Sequence, residues 1–268
     1  MTDSELKTLT PKTEPDTEWW RSFHVIEMAD LYLNRSSQEE LDETSEFLRR
    51  ELQLTDGARV YDQCCGTGTL SFELAKHNIH ATGADLCEAY IERASERNES
   101  MAAKNCEFNC ADAFDFVPNE ICDAAFNWFS SFGYASTNAR NQMMLARAFE
   151  SIKPGGRFAM DVPNFPALIR GFQKHLVRTG KSNGRSVICV RQCNLNLRAG
   201  LLEQTWSWIV EGRPVDERKS ALRIYFPHEI VEMLTDVGFE SIELHGGIDK
   251  QKLEMDSPRL IIVARRPL

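Results

Sequence analysis

The sequence predicts an α/β fold built on a doubly wound, mostly parallel sheet of seven strands. Between residues 58 and 161, apolar stretches of strand length alternate with helical patterns, which is typical of parallel strands joined by right-handed crossovers. The strand predicted at 58–62 runs into a turn of small residues at 64–68, and a helix at 69–76 follows directly. Two further apolar segments, at 239–245 and 259–264, complete the sheet.

The remaining helices and strands follow in order from periodicity and end signals. Apolar residues at helical spacing predict helices over 23–35 and 37–52, and Ser37 with Glu40 forms a capping box that begins the second. Strands at 79–85, 106–110, 121–127 and 157–161 are separated by helices at 88–104 and 138–152, with a turn at 153–156. A helix over 227–237 begins at Pro227 and ends at Gly238.

The regular alternation stops after residue 161. Strands at 187–197, 201–210 and about 219–226 predict a small antiparallel sheet, inserted at about 185–222 and placed over the active site. Trp206 and Trp208 share one of its faces, where they cover a cavity or contact a second copy of the chain. We expect a flexible tail at 1–17 and one domain at 18–268, in which 18–55 forms a helical cover.

Composition narrows the possible partners. The net charge of −9 over 268 residues disfavours a nucleic-acid surface, which needs clustered Lys and Arg. No apolar run approaches the roughly 20 residues that span a bilayer, and the N-terminus lacks the pattern of a signal peptide. We therefore expect a cytoplasmic protein without a membrane partner. The eight cysteines do not have the spacing of a zinc site, so no metal is predicted, and both monomer and homodimer stay open.

The turn after the first strand indicates the ligand. Gly66 and Gly68 allow close approach of a ligand, because glycine has no Cβ and accepts positive φ. The carboxylate of Asp62 would repel a pyrophosphate but suits the ammonium and sulfonium of S-adenosylmethionine. Asp85, at the end of the second strand, can accept the ribose hydroxyls. NAD-binding chains share that acid, but their full glycine motif would require Gly at Ser71.

Several segments then point to a family: VYDQCCGTGTLS, ATGADLCEAYIERA, CADAFDF, FNWFSSFGYAS and the closing pair GFESIEL and RLIIVARR. With them the chain resembles the class I S-adenosylmethionine-dependent methyltransferases over residues 40–268. The segments SSFGY and MDVPNF are most similar to enzymes that methylate small molecules, such as sugar amines and natural products. Cys64 departs from the family, which usually has Gly or Ala there, and we expect a slightly tighter fit.

The turn and the resemblance together imply a set of cofactor-binding residues. The methionine end of the cofactor meets the turn and Tyr32, the ribose meets Asp85, and the adenine meets Leu86, Asp112 and the backbone of Ala113. The backbone carbonyl of Asn127 faces the cofactor and Trp128 flanks it. The expected cofactor-binding residues are Tyr32, Asp62, Cys64, Gly66, Thr67, Gly68, Asp85, Leu86, Asp112, Ala113, Asn127 and Trp128.

The expected reaction is an in-line displacement that moves a methyl group to a small-molecule nitrogen, or oxygen, and leaves S-adenosylhomocysteine. Tyr134 is expected to line the acceptor pocket, with His175 and His228 as candidate bases beside His24, Tyr225 and Asp161. No base stands out, which favours an amine over a hydroxyl, because a neutral amine needs little more than desolvation. A methyltransferase acting on protein or RNA, and a cofactor-binding protein with other chemistry, stay open as alternatives.

Overall fold

The computed structural model describes residues 18–33, 36–100 and 105–268, so the tail predicted at 1–17 lies outside the described residues. The helix predicted at 23–35 is confirmed over 26–33, where α2 (Ile26–Met28) continues into a π-helical turn at Ala29–Leu33. A separate short helix, α1 (Trp20–Phe23), precedes it, and residues 34 and 35 lie outside the described part. The backbone is extended at His24 (ψ 134°) and at Val25 (φ −136°, ψ 160°), and this interrupts the helix.

The other helices agree closely with their predicted positions. The capping box of Ser37 and Glu40 is present at the start of α3 (Gln38–Glu51), and α8 (Pro227–Val237) is terminated by Gly238 at φ 112°. Helix α7 (Phe165–Arg170) was not predicted. The helices are α1 (Trp20–Phe23), α2 (Ile26–Met28), α3 (Gln38–Glu51), α4 (Thr69–Ala75), α5 (Glu88–Ser100), α6 (Asn138–Ser151), α7 (Phe165–Arg170) and α8 (Pro227–Val237). Within the described ranges, no helix is long and apolar enough to cross a membrane.

The predicted seven-stranded sheet is confirmed. Its strands are β1 (Arg59–Gln63), β2 (His80–Asp85), β3 (Cys106–Cys110), β4 (Cys122–Asn127), β5 (Ile152–Pro163), β10 (Glu240–His245) and β11 (Arg259–Arg265). They lie in the order β10-β11-β5-β4-β1-β2-β3, and β11 is antiparallel to both of its neighbours. The strand order reverses between β1 and β4, and ligands of such sheets bind at the carboxyl ends beside that point.

The middle of this sheet is buried on both faces, which explains the continuous apolar run of β11. Side chains alternate between the faces, so Tyr61 packs with helices α6 and α8 on one side. Its neighbour Val60 packs on the other side, against Phe47 of α3 and Leu70 of α4. This double burial fixes the register of β1 and hence the position of the turn that follows it.

Strand β5 begins earlier than predicted. The segment 153–156 was expected to be a turn after α6, but the chain enters the sheet at Ile152 and makes an irregularity opposite Cys122 and Ala124. Gly155 makes this possible with φ 78°, and its N–H donates to the carbonyl groups of Arg266 and Pro267. The Pro-Gly-Gly sequence therefore marks a bulge inside a strand rather than a connection between elements.

A second, antiparallel sheet has four strands rather than the three predicted. They are β6 (His175–Ser182), β7 (Arg185–Asn196), β8 (Leu201–Val210) and β9 (Arg213–Arg223), in that order. Strand β6 was not predicted, because it is an edge strand whose residues are mostly exposed and polar and therefore lack an apolar pattern. Strand β9 begins before the predicted residue 219, and Pro214 lies inside it, which is tolerated in an edge strand that needs no N–H on its outer side.

Candidate active site

A cavity of about 800 Å³ lies at the carboxyl ends of the central strands. The turn after β1 and the ends of β2 and β4 form its floor, and β6 to β9 together with the N-terminal helices border its other sides. The cavity contains ten of the twelve expected cofactor-binding residues. Gly68 and Asn127 are the two that do not line it.

The turn after β1 has the backbone conformation for which the sequence selects glycine. Gly66 has φ 57° and Gly68 φ 74°, both left-handed. A Cβ on Gly68 would stand 2.6 Å from the ring of Phe108 on β3, so this glycine serves the packing of the turn on the sheet. Cys64 is also left-handed, at φ 62°, which explains why Gly is usual at this position and replaces our expectation of a merely tighter fit.

Asp62 lies beneath this turn, almost fully buried. It accepts a hydrogen bond from the Ser71 hydroxyl on α4 at 2.6 Å. Burial raises the pKa of Asp62 to about 7, against the lowering effect of that hydrogen bond, and the negative charge of Asp85 adds a further increase. A cation bound at the turn would favour the ionised form of this carboxyl group.

Asp85 organises the same turn from the end of β2. One carboxylate oxygen accepts the Gly66 N–H and the other the Cys87 N–H, both at 2.9 Å. Each oxygen keeps a further lone pair for a ligand hydroxyl. Burial raises the pKa of Asp85, while nearby His24 lowers it. Burial lowers the pKa of His24 itself, with the charge of Asp85 acting in the opposite direction, and its ring lines the cavity.

Asp112 follows β3 and borders the cavity beside Leu86 and Ala113. Its Oδ1 accepts the Phe114 N–H at 3.0 Å. Arg21 on α1 lies 3.1 Å from Oδ2, yet this buried oxygen has no hydrogen bond from any group in the described ranges. A buried carboxylate oxygen without a donor can accept a hydrogen bond from a ligand amino group.

The loop after β4 carries Trp128 and two strained residues. Phe129 (φ 59°) and Ser130 (φ 71°) are both left-handed without being glycine. Asp161 at the end of β5 stabilises this conformation, because its Oδ2 accepts the Phe129 N–H and its carbonyl accepts the Ser130 N–H. Arg259 on β11 binds both carboxylate oxygens, at 2.7 and 2.6 Å. Strain of this kind collects at binding sites.

Asn127 supports the site from below rather than contacting the cavity. Its fully buried amide donates to the side chain of Gln63 at 3.1 Å and to the carbonyl of Ser131 at 3.2 Å. It therefore ties the end of β1 to the loop after β4.

Aromatic side chains enclose the cavity opposite the sheet. The ring of Trp19 lies 5.0 Å from that of Tyr134, and Tyr32 lies 5.4 Å from Trp206. Tyr134 therefore lines the cavity as expected, and burial raises its pKa, so its hydroxyl is neutral. Trp208 is buried against Tyr32 within the same chain, so it needs no second copy to cover it.

The structure removes four of the proposed bases from consideration. His175 and His228 are exposed and do not line the cavity, which corrects their expected catalytic placement. Both lie at the start of an element on the outer surface. The Tyr225 hydroxyl is engaged with Asn141 and Asn138, and Asp161 is paired with Arg259. His24 is the histidine that lines the cavity.

Several lining residues carried no signal in the sequence. Arg178 lies in the unpredicted strand β6, Arg191 is one of many polar residues on β7, and Arg259 meets Asp161 only through the antiparallel pairing of β11 with β5. The loop residues Gly247 and Gln251 also reach the cavity. These positions depend on long-range packing, so no local pattern could have revealed them.

The fold and the turn-based site define a nucleotide-cofactor protein of the methyltransferase type, and comparison identifies the family. A family model described as "Methyltransferase domain" matches residues 54–212, more than half of the chain. The chain therefore belongs to the methyltransferase-domain family. A curated relative, the S-adenosyl-L-methionine-dependent Diels-Alderase iccD of Talaromyces variabilis, is 30% identical over 116 residues, which are 41% of this chain and 37% of that protein. The chain thus covers little more than a third of this relative's length.

Two solved structures are similar over nearly the whole chain. The CcbJ methyltransferase from Streptomyces caelestis has a TM-score of 0.76 at 18% identity and covers 94% of this chain and 99% of its own. The S-adenosylmethionine-bound CalS10, an amino pentose methyltransferase from Micromonospora echinaspora, has a TM-score of 0.66 at 19% identity, with coverage of 87% and 93%. At these identities the likeness shows the fold.

S-adenosylmethionine is the cofactor of this family, and the residues present fit it. The turn is stabilised by Asp85, and a Cβ on Gly66 would stand 3.1 Å from the Leu33 side chain, so glycine keeps this narrow space open. The buried Oδ2 of Asp112 is ion-paired with Arg21 but accepts no hydrogen bond from the described residues, so it can accept one from an amino group. The acids Asp62 and Asp85 suit a cationic ligand.

Proposed function

We propose that this protein transfers a methyl group from S-adenosylmethionine to a nitrogen atom of a small molecule. The observation that carries the proposal is one cavity that joins the acid-lined turn after β1 to an aromatic, arginine-containing space under the second sheet. The first part has the chemistry of the cofactor and the second that of an acceptor. In this proposal residues 18–268 act as one domain, with 18–55 and the second sheet covering the site.

When bound, S-adenosylmethionine supplies an electrophilic methyl group on a cationic sulfur. In this proposal Asp85 receives ribose hydroxyls, and Asp112 receives the adenine amino group beside Leu86 and Ala113. The turn with Cys64, Gly66, Thr67 and Gly68 lies at the methionine end, with Asp62 as its counter-charge. Tyr32 and Trp128 flank the ligand, and Asn127 acts indirectly by holding the loop after β4.

The acceptor part of the cavity suits a neutral amine. Trp19, Tyr134 and Trp206 give it aromatic walls, which exclude water and favour the uncharged form of an amine. A hydroxyl acceptor would need a base. Tyr134, with its raised pKa, stays protonated and is suited to orienting the acceptor. CalS10, whose fold is shared, is an amino pentose methyltransferase, so it is named for an acceptor that carries an amino group.

Oxygen is the second candidate acceptor, and His24 is the observation that favours it. The ring of this histidine lines the cavity, and burial lowers its pKa, so it is neutral and able to accept a proton. Replacement of His24 by Gln separates the two reactions. A nitrogen acceptor predicts that kcat keeps most of its value, whereas a hydroxyl acceptor predicts a loss of about 10²-fold or more together with the loss of a basic limb in the pH profile.

A single assay distinguishes the proposed function from two alternatives, a reaction other than methyl transfer and methylation of a macromolecule. The Diels-Alderase relative shows that a similar cofactor-dependent protein is named for another reaction, and a macromolecular acceptor is the remaining alternative. We would incubate the protein with methyl-labelled S-adenosylmethionine and a cell extract divided by size, using the Asp85→Ala variant as control. The proposal expects label in the small-molecule fraction with stoichiometric S-adenosylhomocysteine. Label in protein or RNA, or product formation without S-adenosylhomocysteine, would contradict it.

A further inference from the structure

Among the described residues, two arginines under the second sheet lack the carboxylate partner that a third cavity arginine, Arg259, has. Arg259 is held by both oxygens of Asp161. For Arg178 and Arg191, by contrast, the described ranges contain no ion pair with any acid. In a chain of net charge −9, two half-buried cations left without acids inside a cavity are unexpected, because burial of an unpaired charge is costly.

The two guanidinium groups each contact one ring of a neighbouring aromatic pair. Arg178 stands over the Tyr32 ring at 4.5 Å and Arg191 over the Trp206 ring at 4.7 Å, while these rings are 5.4 Å apart. Strand pairing puts both arginines on one face, since Arg178 is opposite Cys189 and Arg191 is two residues beyond Cys189. Burial raises the pKa of Tyr32, and both arginines lower it, so both charges act on one hydroxyl group.

The arginines also have hydrogen-bonding capacity left. To the residues that the structure describes, Arg178 donates one long hydrogen bond, from Nη1 to the Leu31 carbonyl at 3.4 Å. The buried Nε of Arg191 meets no acceptor in the part of the chain that the structure describes. Both arginines line the cavity and contact an aromatic ring, and a guanidinium group placed in this way is suited to a planar carboxylate.

Arg191 also borders a second, smaller cavity of about 150 Å³. That cavity shares Leu168, Leu202 and Gln204 with the main one, and its other walls include Phe172 and Leu176. An apolar space therefore adjoins Arg191, on the side of the second sheet rather than of the turn after β1.

We propose that Arg178 and Arg191 form an anion subsite for the acceptor, which is then an amine that also carries a carboxylate-like group and an apolar extension. This inference rests on the proposed function and adds the substrate class to it. The acidic turn receives the cationic cofactor and the arginines receive the anionic end of the acceptor, so the two ligands are directed to opposite ends of one cavity.

The test uses benzoate as the anionic probe and benzamide as its neutral match, titrated by NMR into the full chain saturated with S-adenosylhomocysteine. We expect benzoate to bind the wild type more tightly than benzamide does, and Arg191→Gln and Arg178→Gln to weaken benzoate at least about tenfold. Arg191→Lys, which keeps the charge but not the planar group, should give an intermediate loss. Arg185→Gln, on an exposed part of the same sheet, is the matched control and should change nothing.

The affinity for S-adenosylhomocysteine, measured separately by calorimetry, shows whether the arginines bind a carboxylate of the acceptor or the methionine carboxylate of the cofactor. The inference expects it to change less than twofold in both glutamine variants. If the variants weaken S-adenosylhomocysteine instead of benzoate, the arginines hold the methionine carboxylate and the inference is overturned. Equal or absent binding of the two probes to the loaded wild type also overturns it. A wild type that does not bind S-adenosylhomocysteine contradicts the proposed function itself.

Discussion

Replacement of Asp62 by Asn should stabilise the protein while weakening its cofactor binding. The buried carboxyl group has a pKa of about 7 in the folded chain, against about 3.9 for an unfolded Asp. Between these values the folded state holds a proton that the unfolded state has already lost. The free energy of unfolding therefore falls as the pH rises from 4 to 7, and Asn, which cannot ionise, removes this dependence.

The size of the effect follows from the same shift. A difference of about three pH units at 1.36 kcal/mol each gives roughly 4 kcal/mol by pH 8, as an upper bound. Asn can still accept the hydrogen bond of Ser71, so the variant isolates the charge. Urea unfolding without ligand at pH 5, 6, 7 and 8 measures the difference, and Asp236→Asn on the surface of α8 serves as control. A difference between wild type and Asp62→Asn that does not grow with pH would refute the reasoning.

The affinity should change in the opposite direction. Loss of a charge-assisted interaction with a cationic ligand costs about 1.5–3 kcal/mol, so binding of S-adenosylmethionine at pH 8 should weaken at least about tenfold. Calorimetry on the same two variants measures this. A gain in stability without any loss of affinity would mean that Asp62 orders the turn but does not serve the ligand.

Three other substitutions test the support of the site. Gly133 has φ 92°, and in Gly133→Ala the new Cβ would overlap the carbonyl oxygen of Arg223. Thermal unfolding should show a loss of about 1–3 kcal/mol in stability, and an unchanged melting temperature would contradict the fold. In Arg259→Ala the buried carboxylate of Asp161 loses its partner, so urea unfolding should show about 3 kcal/mol of destabilisation. A change under 1 kcal/mol would mean that this pair contributes no more than an ordinary surface ion pair. In Cys64→Gly the left-handed strain is relieved, and a gain of about 0.5–1 kcal/mol in urea is expected; a loss would show that the thiol contacts outweigh the strain.

The main sheet could be predicted because its signals are local. Val60 and Tyr61 belong to a strand buried on both faces, and the capping box at Ser37 and the Pro227 and Gly238 pair mark helix ends directly. In contrast, β6 is an exposed edge strand, and the bulge at Gly155 depends on the C-terminal segment that packs beside it. Edges and bulges are determined by distant partners, so sequence periodicity does not mark them.

The same distinction applies to the site. Asp62, Asp85 and Asp112 end neighbouring parallel strands, and the strand order alone brings them to one edge. His175 and His228 were predicted as bases from their residue type alone, which does not indicate exposure, and both lie on the surface outside the cavity. Arg178 and Arg191 were overlooked for the opposite reason: their position over Tyr32 and Trp206 exists only once the second sheet and the N-terminal helices meet.

The central claim is that the edge formed by β1, β2 and β3 binds the cofactor, and calorimetric titration with S-adenosylhomocysteine tests it most directly. Wild type should bind with a stoichiometry of one. Asp85→Asn loses the charge and one of the two oxygens that accept the Gly66 and Cys87 N–H groups, so it should bind at least about tenfold more weakly at a temperature where urea unfolding shows both proteins to be folded. Equal affinity of the two proteins, or no binding by the wild type, would contradict the account.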